Sequence, residues 1–314
     1  MTRLKSRYSF NWEHKTRLAA DHTGGGSSYV YGKKRINKQN SPFLITLLFI
    51  IINRDALCLQ YQRGGVILNY KELCDELVRI LNLDLPPVGV KFLKKEEIEA
   101  FQHYKSDVNY TFCQFIMRAQ EGEQLLANGD NIACANGASA LGFKPIPDKL
   151  KTGEFLEKLG SFEKEAGRTA MKDLPRFELN RYAAIAVSQV ANADFEPDVI
   201  SIQGKPEHLM WLTLSVLHHE GGRLTFSTAI SNGCCVDITV IPQLEQRLNV
   251  SLGCYGCRNA TSIPDEHLLA GFPGQQLESM VNSLRSLEEK TIPRTREKKA
   301  YNRLINSSRV QGRA

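Results

Sequence analysis

From Asn69 onward, apolar positions recur at helical spacing in some segments and at strand spacing in others, and this alternation is the chain's main signal. Leu73, Leu77, Ile80 and Leu81 mark an amphipathic helix ending near Asn82. Pro86-Pro87 breaks it, and residues 88–93 (VGVKFL) read as a strand. Residues 94–101 suggest a short charged helix, while 111–118 (TFCQFIMR) fit a helix or a strand equally well. Residues 131–134 read as a strand end running into a turn at 135–137, and helices are expected over 147–159 and 166–174. Residues 182–190 and 198–203 are rich in β-branched side chains and predict strands. Pro206 suits the first turn of a helix reaching about His219, where its missing N–H costs nothing. Gly221-Gly222 stops that helix. Beyond it the pattern predicts a strand over 224–230, mixed structure over 236–248, a short helix over 264–269 and an amphipathic helix over 274–287.

The expected class is therefore α/β (mixed α+β), a single domain around a mixed sheet. A faint internal echo suggests two pseudo-repeated halves. In each half a strand (VGVKFL; AAIAVSQV) and a later helix precede an Asn-apolar pair that leads to cysteine and glycine. These are Asn131-Ile132 with Cys134 and Gly137, and Asn249-Val250 with Cys254 and Gly256. The echo would place Cys134 and the later cysteine pair on equivalent turns.

Charge divides the chain further. Residues 1–66 hold 11 Lys/Arg against 3 Asp/Glu and lack apolar periodicity, which reads as a disordered or non-native leader translated from a start assigned too far upstream. Its run FLITLLFIII (43–52) is too short for a bilayer of roughly 30 Å and lacks a cleavage site after it, so neither a transmembrane span nor a signal peptide is expected. Residues 293–314 form a basic tail with 7 basic residues against 1 acidic, expected to fray around a helical turn at 301–305. The remaining body, 67–292, has a net charge of −8 although the whole chain is +6. An acidic body does not favour nucleic acid.

The chemistry-bearing stretch is Gly253-Cys254-Tyr255-Gly256-Cys257-Arg258. Two cysteines three apart can converge on one metal, and the glycines permit a tight turn. Arg258 is expected to favour thiolates by proximity. A soft metal needs further thiolates, for which Cys113, Cys134 and Cys235 are the candidates. Asp237 is a candidate supporting or acid/base carboxylate. Cys74 reads as a small buried hydrophobe, His218-His219 as a helix end, His208 and His267 as surface residues, and 137–142 (GASALG) as close packing. With no secretion signal in view, structural disulfides are not expected, and the protein reads as cytoplasmic.

The combination of Phe112-Cys113-Gln114, Cys134 before Leu141-Gly142-Phe143, Pro197-Asp198-Val199, Met210-Trp211-Leu212, Cys235-Val236-Asp237 and Gly253-Cys254-Tyr255-Gly256-Cys257-Arg258 resembles the uncharacterised ArCR family, also called domain of unknown function 169. The resemblance runs from about Leu81 to Pro293 and leaves residues 1–66 outside. Many members carry proline directly after the cysteine matching Cys134, where this chain has Ala135. The family is typical of anaerobic archaea and bacteria, a setting that suits oxygen-sensitive clusters, but it supplies no reaction. The reading is a cytosolic thiolate-ligated metal protein carrying a [4Fe–4S] cluster, with zinc as the alternative metal, acting with a small molecule or redox partner. Two rival readings are a thiol-redox enzyme using Cys254 and Cys257, and a small-molecule-binding protein whose cysteines are structural.

Overall fold

The structure, a computed structural model, describes residues 69–229 and 231–311, with side chains as far as residue 306. These residues belong to one compact unit, Ile67–Ala314. The leader expectation for residues 1–66 lies outside the described residues. Among the described residues no helix is long and apolar enough to cross a membrane.

Six strands form one sheet: β1 (Val88–Leu93), β2 (Leu125–Ala127), β3 (Ala184–Gln189), β4 (Val199–Gly204), β5 (Asn249–Ser251) and β6 (Leu268–Pro273), in the order β2-β3-β1-β4-β6-β5. Each half of that order takes its own three strands in the same arrangement, with the first at the centre, the third beside it and the second at the edge. The registers agree as well. β1 pairs Val88 with Gln189 and Leu93 with Ala184, while β4 pairs Val199 with Pro273 and Gly204 with Leu268. At the edges Leu125 faces Val187 as Asn249 faces Gly271. The halves join through Val88–Ser201 and Val90–Val199, placed evenly about Gly89–Ile200. The domain is thus built from two repeated halves. The true counterpart of VGVKFL is β4, however, not the AAIAVSQV segment suggested by the sequence echo.

The α/β class and the single sheet are as expected. The strand ladders are all antiparallel, so "mixed" applies only to two isolated parallel bridges, Lys105–Leu125 and Tyr110–Ile132. Alternation along the strands then feeds two helical layers. Val88, Val90, Phe92, Ile185 and Val187 point to one face. They pack there against α2 (Phe112–Gln120), α3 (Ala135–Ala140) and a π-helix, Gly233–Val240. Ile200, Ile202, Ala270 and Phe272 point to the other face. Their partners are α1 (Tyr70–Leu81), α7 (Pro206–Leu217) and α10 (Leu277–Glu288). Each fully buried Leu, Ile or Phe in these layers contributes about 1.5–3 kcal/mol.

Between α3 and β3 the first half carries a small helical insert, α4 (Asp148–Lys151), α5 (Glu154–Lys158) and α6 (Lys164–Lys172). The single helix expected over 147–159 breaks at Gly153, whose φ of +77° suits a residue without a side chain. In the second half the matching connection, between α9 (Tyr255–Ala260) and β6, is only residues 261–267. α8 (Ile241–Glu245) follows the π-helix directly. The basic tail is helical rather than frayed, forming α11 (Thr291–Arg296) and α12 (Lys299–Gln311).

Three local expectations are corrected. Residues 224–229 are not a strand, because the Asn249 side chain takes the place of a neighbouring strand: Ser227 N donates to Asn249 Oδ1, and Asn249 Nδ2 donates to Ser227 O, each at 2.8 Å. Residues 264–269 are not a helix. They turn at Pro264–His267 and enter the buried strand β6. Cys134 ends no strand but caps α3.

Candidate functional site

The described cysteines other than Cys74 meet in one pocket on the α2/α3/π-helix face. Each arrives at the start of a helical segment, where backbone N–H groups lack carbonyl partners within the helix. Thr111 caps α2, accepting from Gln114 N while Gln114 Oε1 accepts from Thr111 N. This fixes Cys113 in the first turn, with its Sγ 3.0 Å from Thr111 Oγ1. Gln114 Nε2 also donates to Ala260 O, tying α2 to α9 across the two halves. Cys134 caps α3, its Sγ accepting from Gly137 N at 3.4 Å. Cys254 caps α9 in the same way, accepting from Cys257 N at 3.2 Å. The expectation of equivalent turns therefore holds, since Cys134 and Cys254 occupy matching caps in the two halves.

The π-helix delivers Cys234 and Cys235 together. Asn232, in the left-handed region at φ 67°, turns the chain into it. Gly233 lies against the CxxC turn, where an added Cβ would stand 2.7 Å from Cys254 N and 2.9 Å from Gly253 Cα. Such wide turns are rare and concentrate at functional sites. Cys234 N donates to Cys257 Sγ at 3.4 Å, and Asn232 Nδ2 donates to Cys235 Sγ at 3.4 Å.

The six thiols divide into two groups. Cys257 is the centre of the first, with Cys254 Sγ 3.2 Å away and hydrogen bonds to Cys113 and Cys234. The second is Cys134 with Cys235, and Cys235 lies close enough to feel the charge of Cys257 and Cys254 as well. The Cys134 and Cys235 sulfurs lie at equal distance, 3.8 Å, from the point where a Cβ on Gly137 would sit. Within the first group two thiols are shifted down and two up. The Cys113 thiol is lowered because Cys257 hydrogen-bonds to it. Cys257 is raised by that bond to Cys113, but the bonds from Cys234 and Cys254 outweigh it and the net shift is downward. The same contacts, followed by burial, raise Cys234 and Cys254, while burial raises Cys235.

The pocket is a cavity of about 260 Å³. Its wall is completed by Phe155, Leu156, Leu159 and Phe162 from the insert and by Tyr255, with Phe155, Leu159 and Tyr255 still 45–58% exposed at the mouth. Among the described residues, no carboxylate, imidazole, ammonium or guanidinium lines it. Among the described residues, no three of His, Cys, Asp and Glu are already spaced to hold a metal ion.

Several sequence assignments change here. Arg258 does not face the thiols: its guanidinium donates to the carbonyls of Leu252, Pro264 and His267 and braces the turn. Asp237 is buried outside the pocket, where burial raises its carboxyl to about 6. Its Oδ2 accepts from Thr228 Oγ1 at 2.8 Å and Ser251 Oγ at 2.6 Å, and Ser251 Oγ accepts from Gly253 N. It thus supports the turn that carries Cys254. Asp237→Ala strands the buried Ser251 hydroxyl and is expected to lower stability by about 1–3 kcal/mol. Asp237→Asn keeps an acceptor and is expected to cost less, as urea unfolding midpoints would show. Equal midpoints for wild type and Asp237→Ala would remove this role.

His208 and His267 are buried rather than at the surface, bonded to Lys205 N and to Gln203. His218-His219 is exposed at the end of α7, and Cys74 sits in the opposite core with its thiol pushed up to about 12 by burial. The residues of 137–142 are closely packed as expected. Sequence reasoning passed over Cys234 as a ligand in favour of Cys235, and it missed Asn232, Asn136 and the wall of the insert. The Cys-Cys doublet was visible, but helical or strand geometry would send adjacent side chains apart, and only the π-helix turns both into the pocket.

A family model described as uncharacterised ArCR, domain of unknown function 169, matches residues 76–283, which include all six pocket cysteines. The chain belongs to the ArCR family. It is also 31% identical over 218 residues to the uncharacterised protein MJ0308 of Methanocaldococcus jannaschii, covering 68% of this chain and 93% of that one. No solved structure matches the chain significantly. The ArCR match stops before α11 and α12, and all six pocket cysteines lie inside it.

Proposed function

We propose that this ArCR protein is a cytosolic thiolate-ligated metal protein, carrying a [4Fe–4S] cluster in preference to zinc, with Cys113, Cys234, Cys254 and Cys257 as the holding residues. The observation that supports this reading is the convergence of soft donors from both halves of the fold on one largely apolar pocket, with no carboxylate among its described lining residues. Backbone N–H groups of Cys234 and Cys257 already point at sulfur, as charged thiolates require when shielded from water. The donor chemistry fits, although the sulfurs are closed on one another as thiols. Tetrahedral thiolates at roughly 2.3 Å from zinc stand about 3.8 Å apart. The Cys254–Cys257 separation of 3.2 Å must therefore open slightly for zinc and further for a cluster, into the adjoining cavity. A bound cluster would supply one-electron transfer, and zinc a structural tie.

Of the sequence candidates, this reading keeps Cys113, Cys254 and Cys257 as ligands and adds Cys234. Cys134 and Cys235 stand beside them. Anaerobic purification followed by metal and sulfide analysis and an absorption spectrum is the test. Iron and acid-labile sulfide in a ratio near one, with visible charge-transfer absorption, would support the cluster, and one zinc per chain would support the alternative metal. Protein free of metal after expression in iron- and zinc-replete medium would overturn the proposal and leave a thiol-redox enzyme or a small-molecule binder.

A further inference from the structure

We propose that Cys134 and Cys235 form a dithiol separate from the metal ligands, which exchanges with low-molecular-weight disulfides entering through the apolar mouth of the pocket. The inference rests on the metal reading above only in reserving the Cys257-centred group for metal. A single four-ligand centre leaves two of the six pocket thiols over, and the geometry indicates which two. Cys134 and Cys235 both place their sulfurs beside Gly137, each 3.8 Å from where its Cβ would sit. Neither belongs to the hydrogen-bonded set around Cys257.

Their surroundings differ as an attacking and a resolving thiol require. Cys134 is partly exposed and its Sγ accepts from Gly137 N, whereas Cys235 is buried and its Sγ accepts from Asn232 Nδ2. Asn136 joins the two sides: its Nδ2 donates to Asn232 Oδ1 at 2.6 Å, while its own Oδ1 is buried without a partner. A buried carbonyl oxygen left unpaired is costly, and a substrate N–H or O–H beside the disulfide would satisfy it. The pocket walls contributed by Phe155, Leu159 and Tyr255 suit a small uncharged molecule better than a charged one.

In the exchange, the Cys134 thiolate attacks one substrate sulfur, the substrate S–S bond breaks, and the first substrate thiol leaves and takes up a proton. Cys235 then gives up its proton and attacks Cys134 Sγ. The Cys134–Cys235 bond forms and the second substrate thiol departs with that proton. Two electrons and two protons pass from the dithiol to the disulfide, and an external dithiol returns them.

The test uses the full chain, purified anaerobically and treated with bis(2-hydroxyethyl) disulfide. Two equivalents of 2-mercaptoethanol should be released per chain, and peptide mapping should show Cys134 linked to Cys235. Cys134→Ser should reduce release to background. Cys235→Ser should trap a mixed disulfide on Cys134. Both variants should keep the metal content of wild type. A disulfide mapped to Cys254–Cys257, no release from wild type, or loss of metal from either variant would overturn the proposal. Wild-type mapping decides the matter even if a variant fails to fold. A Cys134–Cys235 disulfide in protein that never holds metal would sink the metal reading while leaving this one standing.

Discussion

Cys257→Ser is expected to abolish stoichiometric metal, whereas Cys74→Ser leaves it unchanged. Cys257 is the thiol on which the first group closes. It is 3% exposed, touches Cys254, bonds to Cys113 and Cys234, and receives the Cys234 N–H. Serine replaces a soft, readily ionised ligand with a hard hydroxyl, and the other three thiols cannot complete a four-coordinate centre. Loss of a supporting residue typically costs about 10–100-fold in metal affinity, so loss of the central ligand should cost more than that. Serine is no larger than cysteine, so the fold should survive and circular dichroism should be little changed. Cys74 is a control of equal burial in the opposite core. Metal per chain, measured after anaerobic desalting, is the readout. Full metal in folded Cys257→Ser protein would show that the centre lies elsewhere.

The elements that could be read from sequence were those whose pattern is local. The helices at 70–81, 206–217 and 277–288 and the strands at 88–93, 184–189 and 199–204 each bury a face with regular spacing. β6 was missed because LLAGFP is buried along nearly its whole length between two helical layers, and a short continuous apolar run has no period. The segment 224–229 was misread for the opposite reason. Its composition is strand-like, but its partner is a side-chain amide of Asn249. Cys113, Cys134 and Cys235 were candidates because a soft metal on the CxxC pair needs further thiolates. The role of Arg258 was not legible, since its distance from the thiols depends on where the Leu252, Pro264 and His267 carbonyls lie.

The duplication explains why the thiols meet at all. Each half sends a cysteine on a helical segment that precedes its edge strand and another on the cap after that strand: Cys113 and Cys134 in one, Cys234 and Cys254 in the other. Joining the halves through β1 and β4 brings both sets to the same face. Cys235 and Cys257 are additions of the second half, and residues 141–183, which include α4, α5 and α6, are an addition of the first. The sequence echo pointed toward this plan but aligned the wrong strand, because β1 and β3 are both short and apolar while the register that distinguishes them is a property of the assembled sheet.

Gly271→Ala is expected to destabilise the domain by about 3 kcal/mol or more, at the upper end of what overpacking costs. A Cβ at this position would overlap the carbonyl oxygen of Ile238 and stand 2.6 Å from its carbonyl carbon and 2.7 Å from its Cα. All three are backbone atoms of the π-helix, so no rotamer change relieves the clash. The strand cannot yield either, since Gly271 is paired with Ser201 on one side and Asn249 on the other. The matching position in the first half is Val187, over which the ordinary α-helix α2 leaves room for a full side chain. Glycine at 271 is thus the counterpart of the π-helix: the wider coil sits closer to the sheet, and that closeness turns Cys234 and Cys235 into the pocket. At roughly 2–4 °C per kcal/mol for a domain of this size, the melting temperature should fall by about 6–12 °C. Gly129→Ala, where an added Cβ would meet only ordinary contacts at 3.5 Å, should melt near wild type. Because the displaced backbone carries two of the pocket thiols, metal retention should fall together with stability in Gly271→Ala. A variant that melts within a degree or two of wild type would mean that the π-helix does not rest on β6 as closely as described.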